Sequence, residues 1–170
     1  MCEGKNEESL VNILLDNNKL KFTRDELIGL RPYNIRQLKH PLIKTELKHY
    51  NESIIIYRIG DKQNDKLVIP LELKRIISSE NIYKYCTKPE LEILLIIHEK
   101  LIKDFNKSNR SAKSYAKDKI KVNGKKYDQS SIMLERYYSN CDDLVDDIIE
   151  YKRIKKDHKQ NELYLADLLK

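Results

Sequence analysis

The sequence predicts one α/β domain over residues 1–170, with a mostly parallel central sheet flanked by helices and a helical C-terminal part at residues 111–170. The chain has 170 residues, a usual length for a single domain. It contains only four glycines and four prolines, so most of it is expected in regular elements. Segments with the composition of strands are separated by segments with helical spacing, as in βαβ units.

Three helical segments open the chain. Apolar residues recur at helical spacing in residues 6–15, and Asn6 is the expected N-cap. Thr23 and Glu26 have the spacing of a capping box at the start of a second helix. Pro41 is suited to the first turn of a third helix, because proline needs no backbone hydrogen-bond partner there.

The pattern then changes to that of a sheet. Residues 53–60 are rich in isoleucine, which predicts a central strand buried on both faces. Residues 81–86 form a second candidate strand, and a helix is expected between the two, after Pro70. Residues 89–105 carry a wide apolar stripe, which predicts a long helix packed on the sheet.

The C-terminal part is expected to be helical around one hairpin. Asn123 and Gly124 stand between alternating residues, a strong signal for a two-residue hairpin turn. Amphipathic spacing predicts helices at residues 130–138, 142–156 and 161–170.

Charge favours a polyanionic partner, with nucleic acid first, because the net charge is +6 and the pI about 9.0. Two basic segments contain residues suited to phosphate contacts, and a tyrosine suited to stacking on a base, namely Lys125, Lys126, Tyr127, Arg153 and Lys156. The alternative is a solvated lysine-rich surface, since a chain rich in Lys, Ile, Asn and Tyr also reflects A/T-rich codons.

Cysteine usage and hydropathy exclude several classes of protein. The three cysteines Cys2, Cys86 and Cys141 form no CxxC pair, which argues against a disulfide framework and a structural zinc site. They are expected to be reduced thiols in a cytoplasmic protein. No apolar run approaches 18 residues, so no membrane span is expected.

Three acids suggest a metal site. Glu3 is followed by glycine, Asp61 ends the best candidate strand, and Asp65 follows four residues later. Acids at neighbouring strand ends of a parallel sheet lie close together, and carboxylates are the ligands that Mg²⁺ prefers. A bound Mg²⁺ would serve phosphodiester cleavage. The alternative is that Glu3 is a helix-dipole acid and that Asp61 and Asp65 are turn residues.

The segment "KPELEILLIIHE" contains two further candidates for catalysis. Glu92 interrupts an otherwise apolar stretch, and His98 lies on the apolar stripe. Histidine has an intrinsic pKa suited to acid–base chemistry. The alternatives are a solvated or lysine-paired glutamate and a core histidine with satisfied hydrogen bonds.

Three stretches, in order, resemble TOPRIM-type and RloB-like proteins. "CEGKNEESL" resembles their opening motif, in which a strand ends in an acid–glycine pair before a helix. "KPELEILLIIHE" resembles the segment in which a proline precedes a glutamate and a histidine, here Pro89, Glu92 and His98. "KKYDQSSIMLERYY" resembles the Lys/Tyr-rich stretch that follows.

The resemblance implies a TOPRIM-like domain and a metal-dependent nuclease acting on DNA or RNA. Such proteins belong to prokaryotic abortive-infection and other phage-defence systems, often beside an operon-encoded ATPase. It implies Mg²⁺ or Mn²⁺ as the cofactor and Glu3, Asp61, Glu92 and His98 as catalytic residues. The family's first strand precedes the acid–glycine pair, and only Met1 and Cys2 do so here, so this strand is expected to be missing. The alternative is a non-catalytic module that binds nucleic acid or protein.

Overall fold

A computed structural model describes residues 1–61 and 66–170. The helices are α1 (Lys5–Asp16), α2 (Pro41–Leu47), α3 (Ile93–His98), α4 (Ile102–Lys107), α5 (Ala112–Lys119), α6 (Ser131–Tyr137) and α7 (Cys141–Ile154). The strands are β1 (Ile56–Gly60), β2 (Ile82–Cys86), β3 (Lys121–Val122), β4 (Lys125–Lys126) and β5 (Leu163–Tyr164). Among these residues, no helix is long and apolar enough to cross a membrane.

The main sheet is small and parallel. Its strand order is β1-β2-β5, and β2 pairs in parallel with both neighbours. Gly60 lies opposite Cys86, so β1 and β2 end at the same edge of the sheet. The prediction of an α/β fold with a parallel sheet is confirmed, although the middle strand is β2 and β1 begins at Ile56.

A short N-terminal segment covers the other side of β1. Cys2 forms parallel bridges with Ile59 and with Asn34. The backbone N–H of Ile59 donates to the carbonyl of Met1, and the N–H of Glu3 donates to the carbonyl of Ile59. Both hydrogen bonds have a donor–acceptor distance of 2.9 Å. Residues 1–3 therefore run beside β1. The resemblance led us to expect that no strand would occupy this place, because only two residues precede Glu3.

Helix α1 follows directly, but its N-cap differs from the prediction. The cap is Gly4, whose backbone is extended, and Asn6 lies inside the first turn. The side chain of Asn6 instead donates to the carbonyl of Gln129 at 3.2 Å. The change of cap matters because it starts the helix at Lys5, two residues after Glu3.

The predicted long helix at residues 89–105 is wrong. The chain forms two short helices, α3 and α4, separated at Lys100, whose φ of 59° is left-handed. Every residue from Ile93 to Ile97 is buried, and α3 packs mainly against α5 and α7. The wide apolar stripe therefore reflects a helix enclosed by other helices.

The predictions for the remaining segments had mixed outcomes. The capping box of Thr23 and Glu26 is present, but it starts only a short 3-10 turn at Arg24–Glu26. The helix expected after Pro70 is likewise a 3-10 turn, Leu71–Leu73. Helices α2, α6 and α7 and the hairpin of β3 and β4 are confirmed.

The helix predicted at residues 161–170 is wrong. Leu163 and Tyr164 form β5 beside Tyr85 and Cys86, and a 3-10 turn at Leu165–Leu168 follows. The end of the described chain therefore returns to the sheet, and the part beyond residue 111 is not wholly helical.

Candidate active site

Glu3 and Asp61 lie side by side at the carboxyl edge of the sheet, as the sequence predicts. Residues 1–3 carry Glu3 along β1, and Asp61 follows the last residue of that strand. The Oε2 atom of Glu3 accepts a hydrogen bond from the backbone N–H of Asp61 at 3.0 Å. The Glu3 carboxylate is thus in direct contact with the backbone of Asp61.

The glycine before Asp61 is required by this contact. A Cβ atom at Gly60 would lie 2.3 Å from Oε2 of Glu3 and 2.7 Å from its Cβ. Such distances are far below van der Waals contact, so any larger residue would displace the Glu3 side chain.

Arg36 holds Glu3 from the solvent side. Its Nε donates to the backbone carbonyl of Glu3 at 3.0 Å, and Nη2 lies 3.3 Å from Oε1. The arginine side chain is 64% exposed. It therefore restrains Glu3 while leaving part of the guanidinium open to solvent.

Glu7 belongs to the same site, and the sequence analysis missed it. It lies in the first turn of α1, is buried, and would contact a Cβ at Gly4 at 2.8 Å through Oε2. Burial is the main cause of its raised pKa, with Glu3 adding to the shift and Lys113 opposing it. The spacing Glu3–Gly4–x–x–Glu7 could have predicted that Glu7 lies near Glu3. A residue in the first helical turn faces the chain that leads into the helix.

Asp61 has the most altered chemistry at this edge. Burial, followed by the charges of Glu7 and Glu3, raises its pKa to about 7. Its Oδ1 atom is buried and accepts no hydrogen bond from the described residues. The hydroxyl of Thr87, just after β2, is also buried, and no described residue hydrogen-bonds to it. Two neighbouring parallel strands therefore each lead to a polar atom whose hydrogen-bonding capacity is unused.

Glu92 extends the group of acids, and its catalytic role stays a prediction. It is buried, and the hydroxyl of Tyr127 donates to its Oε1 at 3.5 Å. Burial raises its pKa, and Glu90 and Glu7 raise it further while Lys113 lowers it. Glu90 accepts a hydrogen bond from the backbone N–H of Lys113 at 2.8 Å. Five acids that act on one another electrostatically form a carboxylate cluster: Glu3, Glu7, Asp61, Glu90 and Glu92.

His98 lies outside this cluster. Glu92 caps the start of α3 and His98 ends it, which places them about 9 Å apart along the helix axis. Nδ1 of His98 lies 3.0 Å from Oδ2 of the buried Asp147, which also accepts from the Tyr138 hydroxyl at 3.0 Å. The histidine thus joins α3 to α7, apart from the acids, and its catalytic role stays a prediction.

The structure also changes the proposed nucleic-acid-binding residues. Tyr127 is 1% exposed, so its ring is not available to stack on a base. Lys125 and Lys126 are exposed on the hairpin. Arg153 is engaged by Glu150 through two contacts of 2.5 and 2.6 Å, and Lys156 donates to the carbonyl of Lys152.

A cavity of about 430 Å³ is a separate feature. It opens beside Cys2, Ile56 and Tyr57, and its walls are mostly apolar. None of the five acids of the carboxylate cluster lines it. The cavity and the acids therefore offer different chemistries, and only the acids match the site predicted from the sequence.

Metal ligation by Glu3, Asp61 and Asp65 stays a prediction. Asp65 lies outside the described residues. Within residues 1–61 and 66–170, no group of three or more His, Cys, Asp or Glu side chains is arranged to hold a metal ion. Compared with known protein families, curated proteins and solved structures, the chain shows no match.

Proposed function

We propose that this protein is a metal-dependent nuclease of the TOPRIM/RloB-like type, acting on DNA or RNA in a prokaryotic anti-phage system. The observation that carries the proposal is the direct contact between Glu3 and Asp61 at the carboxyl edge of a parallel sheet. Ligands of open α/β sheets bind at this edge. An operon-encoded ATPase is part of the same proposal as the partner.

The chemistry of the carboxylate side chains supports Mg²⁺ or Mn²⁺ as the cofactor. Both are hard cations that prefer oxygen ligands, and the carboxylate cluster supplies only oxygens. Asp61 Oδ1 has no hydrogen-bond donor among the described residues, so it is free to accept a cation. Neighbouring carboxylates raise the pKa of Asp61, and a bound cation would offset that repulsion. Glu3 and Asp61 are the residues proposed to hold the metal, with Asp65 as a candidate third ligand.

When bound, the metal would polarise the phosphate and favour ionisation of the attacking water. Arg36 keeps Glu3 in place through the backbone carbonyl and the carboxylate of that residue. Glu7 holds a proton more readily than an exposed glutamate, because burial raises its pKa. Its carboxyl group is therefore the candidate proton donor to the leaving oxygen.

Incubation with plasmid DNA and total RNA, with and without Mn²⁺, tests this function. The wild type is expected to cleave at least one substrate only with the metal, and Asp61→Asn is expected to lose cleavage and metal binding by calorimetry. Asp25→Asn is the control, because Asp25 is an exposed acid in another turn. Equal cleavage by Asp61→Asn and the wild type would exclude this site.

A non-catalytic module that binds nucleic acid or protein is the second candidate. It is favoured by Lys125 and Lys126, which are exposed on the hairpin and suited to contact a polyanion. In this case the wild type would bind nucleic acid without cleaving it, and calorimetry would detect neither Mg²⁺ nor Mn²⁺.

A further inference from the structure

We propose that Lys113 binds a phosphate group of the substrate beside the carboxylate cluster. This inference rests on the function proposed for that cluster and assigns to it a residue that the sequence patterns did not indicate. Four features of Lys113 support it. They are the effect of its charge on several acids, the lack of a side-chain partner among the described residues, the hydrogen bonds that hold its backbone, and its position in the first turn of α5.

Lys113 acts on several carboxylates at once. Its positive charge opposes the raised pKa values of Asp61, Glu7 and Glu92, which lie on three different parts of the chain. Among the described residues, it is the cation whose charge lowers the pKa of each of these three acids. Lys113 is thus the basic residue that the cluster shares.

The ammonium group is nonetheless unpaired. Within residues 1–61 and 66–170, the Lys113 side chain makes no ion pair or hydrogen bond. Other exposed lysines do form such contacts, for example Lys19 with Asp142 at 2.6 Å and Lys44 with Glu72 at 2.6 Å. A lysine within reach of several acids that pairs with none keeps its charge available to a ligand.

The backbone of Lys113 is held on both sides. Its N–H donates to Oε2 of Glu90 at 2.8 Å, and its carbonyl accepts from the side chain of Gln129 at 3.5 Å. Ser111 caps the helix by accepting from the N–H of Ser114 at 3.2 Å. The base of the side chain is therefore fixed relative to Glu90, a member of the cluster, while the ammonium group has no partner among the described residues.

Helix stability does not account for a lysine at this position. Lys113 lies in the first turn of α5, where the helix dipole disfavours a cation, whereas Lys117 and Lys119 lie in the last turn, where it favours one. A phosphodiester brings negative charge to a site already rich in carboxylates. A free cation beside them would reduce that repulsion and orient the phosphate.

Lys113→Gln and the matched control Lys117→Gln test the proposal, since both remove one exposed lysine from the same helix. The first probe is inorganic phosphate in metal-free buffer, followed by NMR. The second is a labelled single-stranded oligonucleotide with Ca²⁺ in place of Mg²⁺, titrated at several salt concentrations. Lys113→Gln is expected to weaken both about tenfold and to lower the salt slope by about one, whereas Lys117→Gln changes each affinity less than about twofold.

The outcomes separate this inference from the proposed function. If the wild type cleaves nucleic acid and the two variants bind both probes equally, the nuclease stands and the role of Lys113 is overturned. If phosphate binding depends on Lys113 but no substrate is cleaved with Mg²⁺ or Mn²⁺, the phosphate site stands and the nuclease is overturned. If the wild type binds neither probe, Lys113 has no such role.

Discussion

At the residue scale, Asp61 shows how the fold changes the chemistry of a common side chain. Its ordinary pKa of 3.8 rises to about 7, first through burial and then through the charges of Glu7 and Glu3. The same carboxylate in an exposed turn would be ionised at neutral pH. In this fold the native state retains a proton that the unfolded chain releases near pH 4.

The raised pKa of Asp61 predicts a loss of stability as the pH rises from about 4 to about 7. In this range the native state binds a proton that the unfolded chain has released, so the free energy of unfolding falls. Asp61→Asn lacks that ionisation. In EDTA at pH 8 its free energy of unfolding is therefore expected to exceed that of the wild type by about 1–2 kcal/mol, after allowance for solvent screening.

Urea unfolding at pH 5 and pH 8 measures this effect, and Asp25→Asn is again the control. The difference between Asp61→Asn and the wild type should be larger at pH 8 than at pH 5. An equal difference at both values would mean that Asp61 ionises as an ordinary aspartate.

His98 provides a second residue-scale prediction, because its contacts are structural. The bond between its Nδ1 and Asp147 links α3 to α7, and burial raises the pKa of Asp147 to about 6 against the opposing charge of His98. His98→Gln is expected to lower the free energy of unfolding by about 1–2 kcal/mol. Metal-dependent cleavage should stay within about threefold of the wild type.

Glu92→Gln is the comparison for His98→Gln, because Glu92 belongs to the carboxylate cluster and lies at the other end of α3. It is expected to reduce cleavage at least about tenfold. If His98→Gln loses as much activity as Glu92→Gln, then His98 acts in the reaction and the separation described above does not hold.

At the scale of elements, local signals succeeded where the decisive interactions are local. The turn residues Asn123 and Gly124, with φ of 50° and 79°, form the predicted hairpin. The helix at residues 161–170 failed because Leu163 and Tyr164 pair with β2, which lies far away in sequence. The prediction of one long helix at residues 89–105 failed because the chain breaks at Lys100, which is in the left-handed region. Hydrophobic periodicity does not reveal a single residue of that conformation.

The hairpin turn yields a prediction about stability alone. A Cβ at Gly124 meets no atom within 4 Å, so Gly124→Ala changes only the backbone preference at a φ of 79°. The left-handed region costs an alanine about 1 kcal/mol, and the free energy of unfolding in urea should fall by that amount. The control is Lys125→Ala, the next exposed residue, and an equal loss in both variants would contradict this cause.

At the scale of the whole molecule, the sequence located part of the candidate site. Glu3 and Asp61 come together as expected, because residues 1–3 run beside β1 and both acids follow at the same edge of the sheet. The charges of Glu90 and Glu7 also act on Glu92, at the start of α3. Glu7 and Lys113 were missed. Lys113 could not be found from its own neighbourhood, since α5 carries several lysines and only the packed fold shows which one lies near the acids.

Charge is distributed unevenly over the molecule. The net charge is +6, yet five acids are gathered in the carboxylate cluster, so the rest of the surface is more basic than the average suggests. The four basic residues predicted to contact nucleic acid differ in how far their charges are engaged by the protein itself. Arg153 is engaged by Glu150, whereas Lys125 and Lys126 are exposed on the hairpin. The hairpin is therefore the better candidate for contact with nucleic acid away from the cluster.

The hairpin lysines predict a salt-dependent and sequence-independent contribution to nucleic-acid binding. Each lysine that contacts a phosphate releases about one counterion, so Lys125→Gln with Lys126→Gln should reduce the slope of log affinity against log salt by about two. Because Tyr127 is buried, no stacking on bases accompanies these contacts, and the loss should be similar for different sequences.

Fluorescence anisotropy with single-stranded RNA and DNA measures the slope. As a control, Lys103→Gln with Lys107→Gln removes the same charge from exposed positions of α4. Equal slopes for the two double variants would mean that the hairpin acts only through net charge and that its lysines are solvated surface residues.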